Sequence, residues 1–212
     1  MILISAQQIE AWLRLCDKVF TEHKQELTEL DAAIGDADHG ANMARGFAAV
    51  RTKLDALTAR DDIGVLFKTT AMTLISQVGG ASGPLYGTFF LQAARPADGK
   101  TEMSLTDLCA SFEAGLTGVV NLGKAQPGDK TMIDALTPAL AALHPKNGDR
   151  LEGALERAAA AARSGAEATI PLVARKGRAS YLGERSAGHK DPGAASSALL
   201  LETLVQAVRS GS

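Results

Sequence analysis

Apolar residues recur every three or four positions along nearly the whole chain and almost never at every second position. That spacing puts them on one side of an α-helix, whereas a half-buried strand needs alternation. Eight segments carry the pattern. The first runs from about Ser5 to Leu30, with Ile9, Trp12, Cys16, Val19, Phe20, Leu27 and Leu30 on one face. The second spans about Gly40 to Leu57, and the third Asp62 to Gln77. The fourth starts near Pro84, which suits a first helical position, and the fifth opens at Ser104 as a cap. The sixth begins near Thr131, with Asp134 three residues on, and reaches about His144. The seventh is the Ala-rich stretch from Asp149 to Thr169, and the eighth runs from about Ala194 to Arg209.

Each segment has one apolar face, so each must pack on neighbours. Most links are short, which predicts antiparallel, up-and-down neighbours. No composition shift, repeat or polar linker divides the chain, so residues 1–212 read as a single all-α domain. Aromatics are few (Trp 1, Tyr 2, Phe 6), which argues for close packing of small side chains and against base-stacking platforms. The formal net charge of -2 argues against a nucleic-acid partner bound by global positive charge. Cys16 and Cys109 form no CxxC pair and are expected as buried thiols. The start MILISAQQIEAW lacks the pattern of a secretory signal, and no apolar run reaches membrane-spanning length. A cytoplasmic protein with no membrane partner is expected.

Four links carry chemistry. The first reads LDAAIGDADHGAN and places Asp31, Asp36 and Asp38 within eight positions, with no Lys or Arg between them. Three carboxylates on a short loop repel unless a cation joins them, and hard oxygen ligands suit Mg²⁺. A calcium loop fails on spacing, because Phe47 stands where its last ligand belongs. The competing reading is that Asp36 and Asp38 merely cap the second helix.

The second link, VGGASGPLYG, is a small-residue turn at a helix start. Its backbone N–H groups and Ser82 can face an anion, or it can be a tight turn and nothing more. The third, GKAQPGDKTM, brings Lys124, Asp129 and Lys130 to a helix start and reads by itself as a Pro-Gly turn. The fourth, ARKGRASYLGERSAGHKDPGA, exceeds twenty residues and carries +3 from Arg175 to Gly193 with histidines neutral. A basic loop of that length, hinged by glycines, can close over phosphates or simply be solvated. In an up-and-down bundle these four links lie at one end. An acidic loop, an anion nest and a basic lid would then meet, which predicts a Mg²⁺–nucleotide or other polyphosphate site.

The segments GDADHGAN, GGASGPLYGTFF, GKAQPGDKTM and ARKGRASYLGERSAGHKDPGA together resemble the nucleotide-binding L subunits of dihydroxyacetone kinases. The resemblance covers essentially the whole chain. It implies a barrel of eight amphipathic antiparallel helices with the nucleotide site in the loops at one end. ADP or ATP and two Mg²⁺ would be the cofactors, with Asp31, Asp36 and Asp38 as metal ligands. His39, Gly40, Ala41 and Asn42 would border the phosphates, and Ala81 and Ser82 would contact them. Gly123, Thr131 and Met132 would line the nucleotide pocket. Arg178 and the Asp191, Pro192, Gly193 turn would close over ADP, with Arg178 the catalytic side chain that offsets developing charge.

The activity implied is phosphoryl transfer to dihydroxyacetone held on a separate K subunit. In one branch of the family ADP stays bound and is rephosphorylated by a phosphohistidine-carrying M subunit of the phosphotransferase system, and a free-standing L chain favours that branch. The alternatives are an ATP-dependent two-subunit sugar kinase acting on dihydroxyacetone or erythrulose, and a non-enzymatic ADP-sensing module reporting to a transcription activator.

Overall fold

A computed structural model describes residues 3–58, 62–146 and 149–210. Met1 and Ile2, the first residues of the stretch read for a signal, lie outside that range. Nine α-helices are present among the described residues: α1 (Ala6–Glu22), α2 (Lys24–Ile34), α3 (His39–Asp55), α4 (Ile63–Gln77), α5 (Ser82–Ala93), α6 (Leu105–Gly123), α7 (Met132–Leu143), α8 (Leu151–Ala168) and α9 (Pro192–Ser210). Two short strands, β1 (Ile4–Ser5) and β2 (Glu102–Met103), pair antiparallel, Ile4 opposite Met103.

The all-α expectation holds, with three corrections. The first periodic segment is two helices, because the chain breaks at His23, which ends α1 and precedes α2. Pro84 is not the first residue of its helix, since α5 begins two residues earlier at Ser82. The last helix begins at Pro192, not near Ala194, with the Asp191 carboxylate accepting from Ala194 N at 2.7 Å. Proline at a first helical position gives up a donor that has no intrahelical partner in any case.

Helices adjacent in sequence pack side by side from α3 through α6 and from α7 through α9, and α9 returns to α1 to close the ring. The core divides by side-chain size. All six phenylalanines are buried, and five rings (Trp12, Phe67, Phe89, Phe90 and Phe112) form one cluster, while Phe20 stacks on Phe47 with centroids 4.7 Å apart. Trp12 Nε1 donates to the Leu200 carbonyl at 2.9 Å, tying α1 to α9. On the α7–α9 side alanines dominate, among them Ala135, Ala139, Ala154, Ala158 and Ala162. Helix backbones can approach closely there. Cys16 and Cys109 are free and buried, as expected.

This packing sorts the connections onto two ends. At one end Ala6 N donates to Thr101 O at 2.8 Å and Ile63 N to Lys100 O at 2.8 Å, so the β1–β2 clasp and the starts of α1 and α4 are joined. At the other end the α2–α3, α4–α5, α6–α7 and α8–α9 connections meet around one cleft.

Candidate functional site

The cleft begins at the last turn of α2. Asp31 is buried there, and its Oδ2 accepts from Asp38 N at 2.9 Å and His39 N at 3.1 Å. One carboxylate thus closes the turn that brings Asp36 and Asp38 beside it. Ligand-type oxygens of Asp31, Asp36 and Asp38 lie within 4.8 Å of one another. Ala37 between them adopts φ 62°, a left-handed conformation that costs a residue with a Cβ. Gly35 is required by contact: a Cβ on it would stand 2.0 Å from Asp31 Oδ1.

The competing capping reading fails for Asp38. It occupies the cap position of α3, yet its side chain makes no cap hydrogen bond. A converging set of hard oxygens, one of them without the structural bond its position offers, fits a Mg²⁺ ion. Asp36 Oδ2 lies 3.0 Å from Arg178 Nη2, so the acidic loop and the long loop already touch.

His39 opens α3 and is buried between two hydroxyls. Its Nδ1 lies 3.1 Å from Ser82 Oγ at the start of α5, and its Nε2 lies 2.8 Å from Ser196 Oγ on α9. Burial pushes its pKa down, against the opposing pull of Asp31 and Asp38. Ser196 Oγ is 2.7 Å from Tyr86 Oη, which also lies 2.9 Å from Ser197 Oγ and donates to Gly193 O at 3.2 Å. Burial pushes Tyr86 up to about 12, so it remains a neutral phenol. The chain Ser82–His39–Ser196–Tyr86 therefore fixes three cleft-forming helices relative to one another.

Asp191 is buried at the start of α9, and its N donates to Thr169 Oγ1 at 2.9 Å. Burial is the main cause that raises its pKa to about 7, with the Ala194 N–H opposing it. Thr131 caps α7 with Asp134 in a reciprocal box, Thr131 N donating to Asp134 Oδ2 at 2.7 Å.

Asp31, Asp36, Asp38, His39, Ala81, Ser82, Thr131, Met132, Arg178, Asp191, Pro192 and Gly193 all line this cleft. Gly40, Ala41, Asn42 and Gly123 do not. A Cβ on Gly40 would fall 2.0 Å from Lys24 O, so that glycine is explained by the close approach of α3 to α2. Asn42 is buried, and its Oδ1 accepts from Arg45 Nη2 at 2.5 Å. Gly123 ends α6 beside Leu85, which does line the cleft.

The family model for the DAK2 domain matches residues 33–206, which takes in all four connections around the cleft. The chain belongs to the DAK2 family. It is 49% identical over 208 residues to the ADP-binding subunit DhaL of the PEP-dependent dihydroxyacetone kinase of Escherichia coli K12, covering 97% of this chain and 99% of that one. The corresponding subunit of the PTS-dependent kinase of Lactococcus lactis is 44% identical over 93% of this chain and 95% of that one. Among solved structures, the dihydroxyacetone kinase of C. freundii in complex with AMP-PNP and Mg²⁺ superposes with a TM-score of 0.72 at 28% identity, covering 93% of this chain and 33% of that one.

Three residues at or behind the DAK2 cleft have a role that a reading of the sequence does not show. Tyr86 and Ser196 are apolar-stripe neighbours at helical spacing, and nothing local says that their hydroxyls meet 110 residues apart. Lys130 reads as part of a turn but is fully buried. Among the described residues, no helix of this DAK2 chain is long and apolar enough to cross a membrane.

Proposed function

We propose that this chain is the ADP-binding subunit of a PEP-dependent dihydroxyacetone kinase, a phosphotransferase. The carrying observation is the convergence of Asp31, Asp36 and Asp38 with Arg178 at a cleft bordered by the starts of α3 and α5. Similarity to an ADP-binding kinase subunit over 99% of that subunit's length supports the specific activity.

In this reading the three aspartates hold Mg²⁺, two ions in all, which supplies positive charge to the phosphates when bound. The N–H groups of Ser82 and Gly83 face the phosphates, since α5 starts without a side-chain cap. Met132 and Thr131 border the nucleotide. Arg178 is the catalytic side chain: it leaves Asp36 for the transferring phosphoryl group and offsets charge that grows there. This chain contributes no nucleophile. The acceptor hydroxyl belongs to dihydroxyacetone on a K subunit, and a phosphohistidine-carrying M subunit regenerates the donor in place. We further propose that residues 1–212 act as one L-type domain in the cytoplasm, and that a transcription activator reads the phosphorylation state of the bound nucleotide.

Purified protein passed through gel filtration should retain ADP and Mg²⁺ by mass spectrometry and metal analysis. Supplied with a K subunit, it should transfer phosphoryl groups from a phosphohistidine donor without exchanging its ADP for free ATP. Protein that binds no ADP when Mg²⁺ is added defeats the reading; exchange of ADP for ATP at each turnover replaces it with the ATP-dependent alternative.

A further inference from the structure

The 170–190 connection is a closed loop rather than an open tether. Gly188 N donates to Ile170 O at 2.7 Å, and Asp191 N to Thr169 Oγ1 at 2.9 Å, so its two ends lie together. Within it, a 3₁₀ segment (Arg178–Ser186) is kinked at Gly183, and Ala174 N donates to Ser186 Oγ at 2.8 Å. Ala174, Ala179 and Leu182 pack on Ile34 of α2, apart from the main core. A compact loop with joined ends swings from its base, so whatever holds the base sets how readily it moves.

The base is held by one side chain from a different connection. Lys130 follows Asp129 in the α6–α7 loop and is fully buried. Its Nζ donates to Thr169 O at 2.7 Å, to Ile170 O at 3.5 Å and to His189 O. Two of those carbonyls belong to the strand of chain entering the loop and the third to the strand leaving it. An ammonium has three protons, and here each has a carbonyl. Next to it, Arg175 N donates to the Asp129 carbonyl at 3.1 Å, adding a backbone tie between the same two loops. The backbone at Lys130 is left-handed, φ 64°, a conformation kept only where the surroundings require it. Lys130 lines the cleft together with Thr131 and Met132, the next two residues.

We propose that Lys130 is a positioning residue for phosphoryl transfer, clamping both ends of the 170–190 loop so that Arg178 stays over the nucleotide. The proposal rests on the nucleotide reading above and adds to it a residue outside the reacting groups. In this role Lys130 spends its ammonium protons on loop carbonyls and acts on the nucleotide through the loop. It joins the loop that borders the nucleotide to the loop that carries the catalytic arginine, so the two move as one piece.

The test compares wild type with Lys130→Met and Lys130→Gly. Methionine keeps the buried volume and removes all three donors. Glycine removes them as well but relieves the left-handed backbone, so it stays testable if the methionine variant folds poorly. Without ADP, trypsin cutting after Arg175, Lys176, Arg178 and Arg185 should quicken about tenfold in both variants, as loss of three charge-assisted bonds would allow. With ADP and Mg²⁺, nucleotide dissociation should quicken by a similar factor of about ten. The helical melting midpoint should fall by no more than about 5 °C. Lys130→Arg, which keeps the charge, should recover part of both rates. Loop cutting and ADP dissociation at wild-type rates in the two variants would overturn the clamp. So would cutting that quickens equally throughout the helices, which marks general loss of fold. A wild type that binds no ADP would instead overturn the nucleotide reading, and the ADP-free proteolysis would still report on Lys130.

Discussion

At the end that carries β1 and β2, most helix starts are closed by the side chain of their own cap residue, whereas two of those around the cleft are not. Ser5 Oγ accepts from Gln8 N at 3.2 Å, Asp62 Oδ1 from Val65 N at 3.2 Å and Ser104 Oγ from Asp107 N at 3.1 Å. Only α8, starting at Arg150, lacks such a cap among the helices that start at that end. At the cleft, α5 follows Ala81 with no side-chain cap bond, and the first N–H of α3 is held by Asp31 of α2 rather than by its own cap residue, Asp38. The same donors that stabilise a helix when capped can bind an anion when left open. One end spends its polar groups on the fold, and the other holds some in reserve for a ligand.

Substitutions at the two ends should therefore separate binding from stability. The largest effect is expected for Asp36→Ala, which removes a carboxylate from the triad and the partner of Arg178. ADP affinity in Mg²⁺ should fall about 100-fold or more by calorimetry, with helical circular dichroism unchanged. Normal ADP binding by the folded variant would remove Asp36 from the site.

Asp191 gives the next effect, as a pH dependence. Its carboxyl sits near 3.8 when unfolded and about 7 when folded. The folded protein keeps a proton that the unfolded chain has released, so this group's contribution is present below about pH 4 and is lost as pH rises through 7. Asp191→Asn cannot ionise and can still accept from Ala194 N. Melting curves should show the variant gaining about 3 kcal/mol on wild type between pH 5 and 8. Parallel curves would place the Asp191 titration elsewhere.

Gly35→Ala pushes a methyl group into Asp31 without changing any ligand. ADP affinity should drop about tenfold, equivalent to about 1.4 kcal/mol. An unchanged affinity would show that Asp31 can shift without loss. The smallest effect belongs to the far end: Ser104→Ala should cost about 1 kcal/mol of stability and leave ADP affinity alone. A change in ADP affinity there would break the division between the ends.

Most of the helices were legible because their apolar stripes hold a strict three-four spacing, as in Ile63, Phe67, Thr70 and Leu74. The break at His23 was not, because Val19, Phe20, Leu27 and Leu30 keep the stripe in phase across it. The β1–β2 clasp involves two residues a strand, too few for any alternation to register. Asp191-Pro192 read as a turn although it is a cap followed by a first helical residue, and both readings use the same residue types. At the cleft, Asp31, Asp36 and Asp38 stood out because like charges crowd in sequence. Lys130 did not, since its partners are backbone carbonyls 39 to 59 residues away, and a carbonyl leaves no mark on the sequence.

The chain has a single tryptophan, and it sits in the middle of the aromatic cluster, hydrogen-bonded to Leu200 O and outside the residues that line the cleft. Its fluorescence is thus a natural gauge of whether the bundle is whole. Emission should stay constant as nucleotide is titrated and shift to longer wavelength only when the helices separate, so unfolding can be followed optically in the same cuvette in which ligand is varied.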